Sequence, residues 1–122
     1  MPLVKKKLSP TKTREILLQA LYQKEISDIS NTNLINQFKK AYREFDISNV
    51  AKNLKGINKN NDSLNKSIAD NSSIEIKSIG EIEISILRQS IFEIENSDID
   101  YPIVINEAVK LAKKFGQEDS YR

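Results

Sequence analysis

Cysteine and histidine are both missing from this 122-residue chain. Their absence removes disulfide frameworks, Cys/His zinc sites, thiolate nucleophiles and the imidazole general base, so most common catalytic constellations cannot be built. Glycine is scarce as well. Gly56, Gly80 and Gly116 stand too far apart to assemble a dinucleotide fingerprint or a phosphate-cradling loop. Long apolar runs are also lacking: the stretches around Ile82 to Leu87 and Pro102 to Ile105 fall far short of the roughly 20 residues that a membrane-spanning helix needs. The lysines at positions 5–7 lead into Ser9-Pro10-Thr11-Lys12 rather than an apolar segment, so no secretory signal is expected and the cytoplasm is the expected compartment. The acidic pairs Glu81/Glu83 and Asp98/Asp100 are i, i+2 neighbours, which on a helix point to different sides, and no base or metal cluster accompanies them. No enzyme, no metal and no cofactor is expected.

What is present fits one soluble domain over residues 1–122. Apolar residues make up 39% and charged residues 30% of the chain, enough of each for a core and a solvated surface. The net charge is only +2, but it is unevenly spread. Residues 1–14 hold Lys5, Lys6, Lys7, Lys12 and Arg14 and no acid; the remaining 108 residues set fourteen cations against seventeen acids, a net −3. A flexible basic arm at residues 1–10 on a mildly acidic body suits a polyanionic partner, since phosphate contacts release counterions. A solvated tail explains the same run of lysines.

Helical spacing dominates the rest. Ile16, Leu17, Ala20 and Leu21 share one face of a first helix, capped by Thr11 or Thr13 and running to about Glu25. After a loop at 27–33, Leu34, Ile35, Phe38, Ala41, Tyr42 and Phe45 predict a second helix. Residues 46–70 keep helical spacing but are rich in asparagine, which predicts two marginal helices broken near Asn60. Ile82, Ile84 and Ile86 alternate like a strand, yet Ile79, Ile82, Ile86, Leu87, Ser90, Ile91 and Ile94 extend a helical face, and no partner strand is signalled; a helix over 79–95 follows. Pro102 is suited to open a last helix with the stripe Ile105, Ala108, Leu111, Ala112 and Phe115, closed by Gly116 as a left-handed cap. Asp119 or Ser120 is placed to cap one more helix.

Two segments carry a specific likeness. Arg14-Glu15 with Gln19-Ala20-Leu21-Tyr22-Gln23, and Tyr101-Pro102 followed by Ile105 through Gly116 and Glu118-Asp119-Ser120, resemble the NusB antitermination family, with Gly80, Glu83, Leu87, Arg88 and Glu93 in register between them. The resemblance implies an all-α fold of two packed helical subdomains that binds boxA-type single-stranded ribosomal RNA. The implied partner is the ribosomal small-subunit protein NusE, within an antitermination complex on RNA polymerase. It casts Lys5, Lys6, Lys7, Lys12, Arg14, Tyr22, Arg88, Asp119, Ser120 and Arg122 as RNA contacts, and Tyr22 and Glu83 as partner contacts. Each has a structural alternative: a tyrosine at the core edge, a surface salt bridge for Arg88 with Glu83 or Glu93, a helix cap for Asp119 and Ser120.

The chain departs from the family pattern in two places. Its arm carries lysines interrupted by Leu8-Ser9-Pro10 where the family is arginine-rich, and lysine lacks arginine's bidentate phosphate grip. The family's final Phe-Val-Asn-Gly-Val-Leu helix has no counterpart, so a shortened C-terminus is expected. Two other functions stay open: the NusB-like module of a ribosomal RNA cytosine methyltransferase, and a protein-interaction bundle that binds no RNA. Whether the chain is a monomer or a homodimer is also left open.

Overall fold

The computed structural model describes residues 4–116, and over them the fold is all-α. Its helices are α1 (Pro10–Ile26), α2 (Asn31–Ala41), α3 (Ser48–Lys59), α4 (Asn61–Asp70), α5 (Glu81–Asn96) and α6 (Tyr101–Phe115), with a 3-10 turn at Ile76–Ser78. One short strand pair accompanies them among the described residues, β1 (Lys6–Lys7) and β2 (Phe45–Asp46). No helix in this range is long and apolar enough to cross a membrane. The chain forms two compact units, Met1–Lys55 and Gly56–Arg122.

In the first unit, α1 begins two residues earlier than Thr11, and four earlier than Thr13, would set it. Ser9 is the N-cap, its Oγ accepting the Lys12 N–H at 3.1 Å, and Pro10 takes a first-turn position where a missing amide costs nothing. The helix buries Ile16, Leu17, Leu18, Ala20 and Leu21 together with Arg14 and Glu15, a wider arc than the one apolar face that the spacing predicts. A helix buried on most of its circumference is set by its neighbours, so its sequence does not show strong amphipathicity. α2 is capped in the same way, Ser30 Oγ accepting the Asn33 N–H at 3.1 Å, and it is tied to α1 by the Gln23 Nε2 to Gln37 Oε1 hydrogen bond at 2.9 Å.

The second helix stops at Ala41 rather than continuing to Phe45. Phe45 keeps the apolar period, but its N–H turns to the Tyr42 carbonyl at 2.8 Å, and its backbone pairs in parallel with the start of the chain. Lys6 stands opposite Phe45 and Lys7 opposite Asp46, with the Lys6 N–H donating to the Glu44 carbonyl at 2.7 Å. The arm, which local sequence leaves without an element, therefore carries a strand. Its partner is 39 positions away, counting from Lys6 to Phe45, a separation at which no periodicity can signal pairing.

The break near Asn60 falls where asparagine content predicts it, between α3 and α4. In the second unit, α5 packs on both α4 and α6. That double contact moves its buried arc away from the predicted one: Ile84, Ser85, Ile86, Arg88 and Gln89 are buried, whereas Leu87 and Ile94 are exposed. Ser85 is accommodated because its Oγ donates to the Glu81 carbonyl at 2.7 Å. On α6 the buried residues are Val104 and Leu111, with Ala108, Ala112 and Phe115 half-buried, while Ile105, expected in the core stripe, is 49% exposed. Gly116 also differs from expectation. It is extended at φ −74°, ψ 172°, not left-handed, and its N–H reaches the Ala112 carbonyl at 2.9 Å.

One glycine in this unit is required by close packing. A Cβ on Gly56 of α3 would strike the ring tip of Phe92 on α5, whereas one on Gly80 would meet only the movable carboxylate of Glu83. Gly56→Val is expected to lower stability by about 2 kcal/mol through overpacking, and Phe92→Leu in the same chain should recover part of it. Gly80→Ala should stay within about 1 kcal/mol of the parent. Urea unfolding of the three variants checks the ranking; equal losses at both glycines would contradict it.

Candidate nucleic-acid interface

The strand pair decides how the basic arm is presented. Successive side chains on an extended segment alternate, so Lys6 projects opposite to Lys5 and Lys7 while the backbone between them is held to β2. All three lysines are exposed. Opposite Lys7 stands Asp46, an exposed residue whose Oδ1 accepts the Ser48 N–H at the start of α3 at 2.9 Å. That bond, the Ser48 hydroxyl and the nearby Lys5 charge hold the Asp46 carboxyl below the ordinary aspartate range. The arrangement joins three pieces of local chemistry: a turn-forming aspartate, a helix start and the end of the lysine strand.

Two of the predicted cations further along are differently placed. Lys12 is exposed at the start of α1 and lies 3.6 Å from Glu15 Oε2. Arg14 is buried at 9% exposure next to the equally buried Glu15. Tyr22 is half-buried on α1.

In the second unit Arg88 is only 8% exposed, and its Nε donates to Asn65 Oδ1 at 2.9 Å, which braces α5 on α4. The expected helix-surface position does not hold for this residue. It projects from the arc of α5 that faces its neighbours, so desolvation and the Asn65 acceptor keep it from a solvent-borne strand. Glu83 is half-buried in the first turn of α5, its carboxylate folded over Gly80. Asp119, Ser120 and Arg122 lie outside the described residues, as does the helix expected to start there. The described set thus brings Lys5, Lys6, Lys7, Lys12 and Tyr22 together in one unit, while Arg88 and Glu83 belong to the other.

Three cations escape a reading by periodicity. Lys39, Lys40 and Arg43 are exposed at the end of α2 and in the turn that follows. On the sequence alone they are the polar side of an amphipathic helix. The available signal is their density around an aromatic, Lys39-Lys40-Ala41-Tyr42-Arg43.

An all-helical fold with a cationic strand anchored on its first unit is the class of protein that these features define. Residues 11–122 match the NusB family, and the chain belongs to it. Among its relatives are the transcription antitermination proteins NusB of Yersinia pestis (strain Pestoides F) and Yersinia pseudotuberculosis serotype O:1b (strain IP 31758). Each is 34% identical over 114 residues, which cover 91% of this chain and 83% of the relative.

Two measurements check the placements above. Arg88→Ala should destabilise the fold by about 2 to 3 kcal/mol, the range for losing a buried hydrogen bond to a charged group, while RNA affinity of the folded fraction stays unchanged; a selective loss of RNA affinity would reverse that assignment. For Asp46, the depressed pKa means that its stabilising effect is present above the unfolded-state value and is lost as pH falls through the folded one. Asp46→Ala is therefore expected to lower the thermal midpoint at neutral pH, with the gap to the parent closing below the ordinary aspartate range.

Proposed function

We propose that this protein is a transcription antitermination factor. In this reading it binds boxA-type single-stranded RNA jointly with the ribosomal small-subunit protein NusE, as part of a complex with RNA polymerase in the cytoplasm. It acts by binding alone, as one domain over residues 1–122, without catalysis or cofactor. The observation that carries the proposal is the Lys6–Lys7 strand with Lys5 just before it: three exposed cations where the backbone is held by β2, in a chain of the NusB family.

The physical logic is electrostatic. Each lysine that neutralises a phosphate releases condensed counterions, so affinity depends steeply on salt. Holding the strand in advance reduces the ordering entropy lost on binding. Lys12, exposed beside the buried Glu15, extends the cationic surface onto α1. Tyr22 supplies a ring on which an unstacked base can rest, and its polar tip can serve the protein partner as well. Glu83 is the proposed partner contact on the second unit. Arg14 and Arg88, both buried, are left out of the proposed RNA surface despite their charge. The names of the relatives favour the antitermination role over the methyltransferase module.

Fluorescence anisotropy with a boxA RNA, a scrambled RNA and added NusE tests the proposal. The expected result is weak, sequence-selective binding that tightens with NusE, because two linked surfaces raise the effective affinity. Replacing Lys5, Lys6 and Lys7 by alanine should reduce the log-affinity against log-salt slope by up to about two units, at roughly 0.7 per phosphate contact. Equal binding to the scrambled RNA, or an unchanged slope, would count against the reading.

A further inference from the structure

Charge divides between the two units more sharply than between the arm and the rest. Met1–Lys55 holds eleven lysines and arginines against five acids, a net +6, whereas Gly56–Arg122 holds eight against twelve, a net −4. The excess in the first unit is too large for the arm alone. Several cations of the second unit are committed internally: Lys66 to Asp70 at 3.2 Å, Lys77 to Glu75 at 3.4 Å, Lys110 to Glu107 at 3.3 Å, and Arg88 to Asn65. In the first unit, by contrast, Lys6, Lys7, Lys39, Lys40 and Arg43 are exposed, and among the described residues none of their side chains has an acid at ion-pair distance.

The β1·β2 ladder brings these groups into one neighbourhood. Lys39 and Lys40 occupy the last turn of α2, Arg43 lies in the turn after it, and β2 starts two residues later. Lys6 stands opposite Phe45. Paired strands lie about 5 Å apart and two residues span at most about 7 Å, so the Lys6 and Arg43 Cα atoms are within about 12 Å of each other. Extended lysine and arginine side chains can cover that gap from both sides. Two exposed acids stand on this stretch: Asp46, which accepts the Ser48 amide and lies near Lys5, and Glu44. On the same stretch are two half-buried rings, Phe38 and Tyr42, stacked in parallel with centroids 6.1 Å apart and an interplanar angle of 1°, the Tyr42 hydroxyl donating to Gln19 Oε1 at 3.5 Å.

We infer that Lys39, Lys40 and Arg43 form a second phosphate-binding group continuous with the lysine strand. Together they make a track for the sugar-phosphate backbone of a single-stranded nucleic acid, with the Phe38–Tyr42 pair beside it as a surface for bases. The inference rests on the RNA-binding reading above and deepens it, because it moves the binding surface from the arm onto the folded body of the first unit. Interleaved cations and aromatic rings suit a single strand, whose bases are free to stack. The position of Lys39 and Lys40 at a helix C-terminus also complements the helix dipole, a use that leaves their ammonium groups in solvent.

The test is a salt series of fluorescence anisotropy with a fluorescein-labelled, single-stranded boxA RNA and the full chain. The triple variant Lys39→Ala, Lys40→Ala, Arg43→Ala should flatten the log-log slope by up to about two units, and the charge-conserving Lys39→Arg, Lys40→Arg variant should retain the parent slope. Lys66→Ala with Lys77→Ala, which removes two cations of the second unit, should leave it unchanged. Circular dichroism of each variant verifies that all are folded, as expected for exposed positions. If the Lys5–Lys7 variant flattens the slope and the α2 triple variant does not, the inference fails and the RNA-binding reading stands. If neither variant moves the slope, both fail.

Discussion

A backbone hydrogen bond from the Lys6 N–H to the Glu44 carbonyl, within a ladder two residues long, determines what the cationic end of this protein can do. An isolated strand pair of that length has little stability of its own. Here its ends are held by helices: Ser9 caps α1 just after β1, and Asp46, the last residue of β2, accepts the amide that starts α3. The ladder needs little intrinsic strength, because both of its chains are already placed by helix starts. Its effect is to replace a chain of freely rotating lysines by a row with alternating directions.

The second unit shows the converse arrangement, in which charge is directed inward. Because α5 contacts two helices, it buries a wide arc and must accommodate polar groups within it. Ser85 returns its hydroxyl to its own helix, and Arg88 gives its Nε to Asn65 of α4. A guanidinium in such a place braces two helices. Meanwhile Leu87 and Ile94 face solvent. Each unit buries one arginine, Arg14 in the first and Arg88 in the second, and the first also displays Lys6, Lys7, Lys39, Lys40 and Arg43.

Much of this was legible beforehand. The all-α class followed from apolar spacing, and the α3/α4 break followed from asparagine density near Asn60, because both are local effects of side-chain period and backbone preference. Local reading misled wherever a distant segment competed. Phe45 continues the period of α2, yet it leaves the helix to pair with Lys6. Ile105 fits the stripe of α6, but it is exposed because the helix is rotated to bury Val104 and Leu111 instead. Arg88 looked like a surface cation, since nothing in its vicinity along the chain announces that Asn65 lies across the interface.

By itself, then, the amino-acid order determined the helical class, the break near Asn60, the charge imbalance and the family likeness, each readable within a few turns of chain or from composition. The tertiary structure alone decided which of the cations face solvent and which are braced inside, and it alone set the lysine strand beside the end of α2. The physical reason is that burial and strand pairing depend on contacts between residues tens of positions apart. Two arginines of the same chemistry can therefore have opposite fates: Arg43 is exposed in a turn, while Arg88 is held in a helix interface.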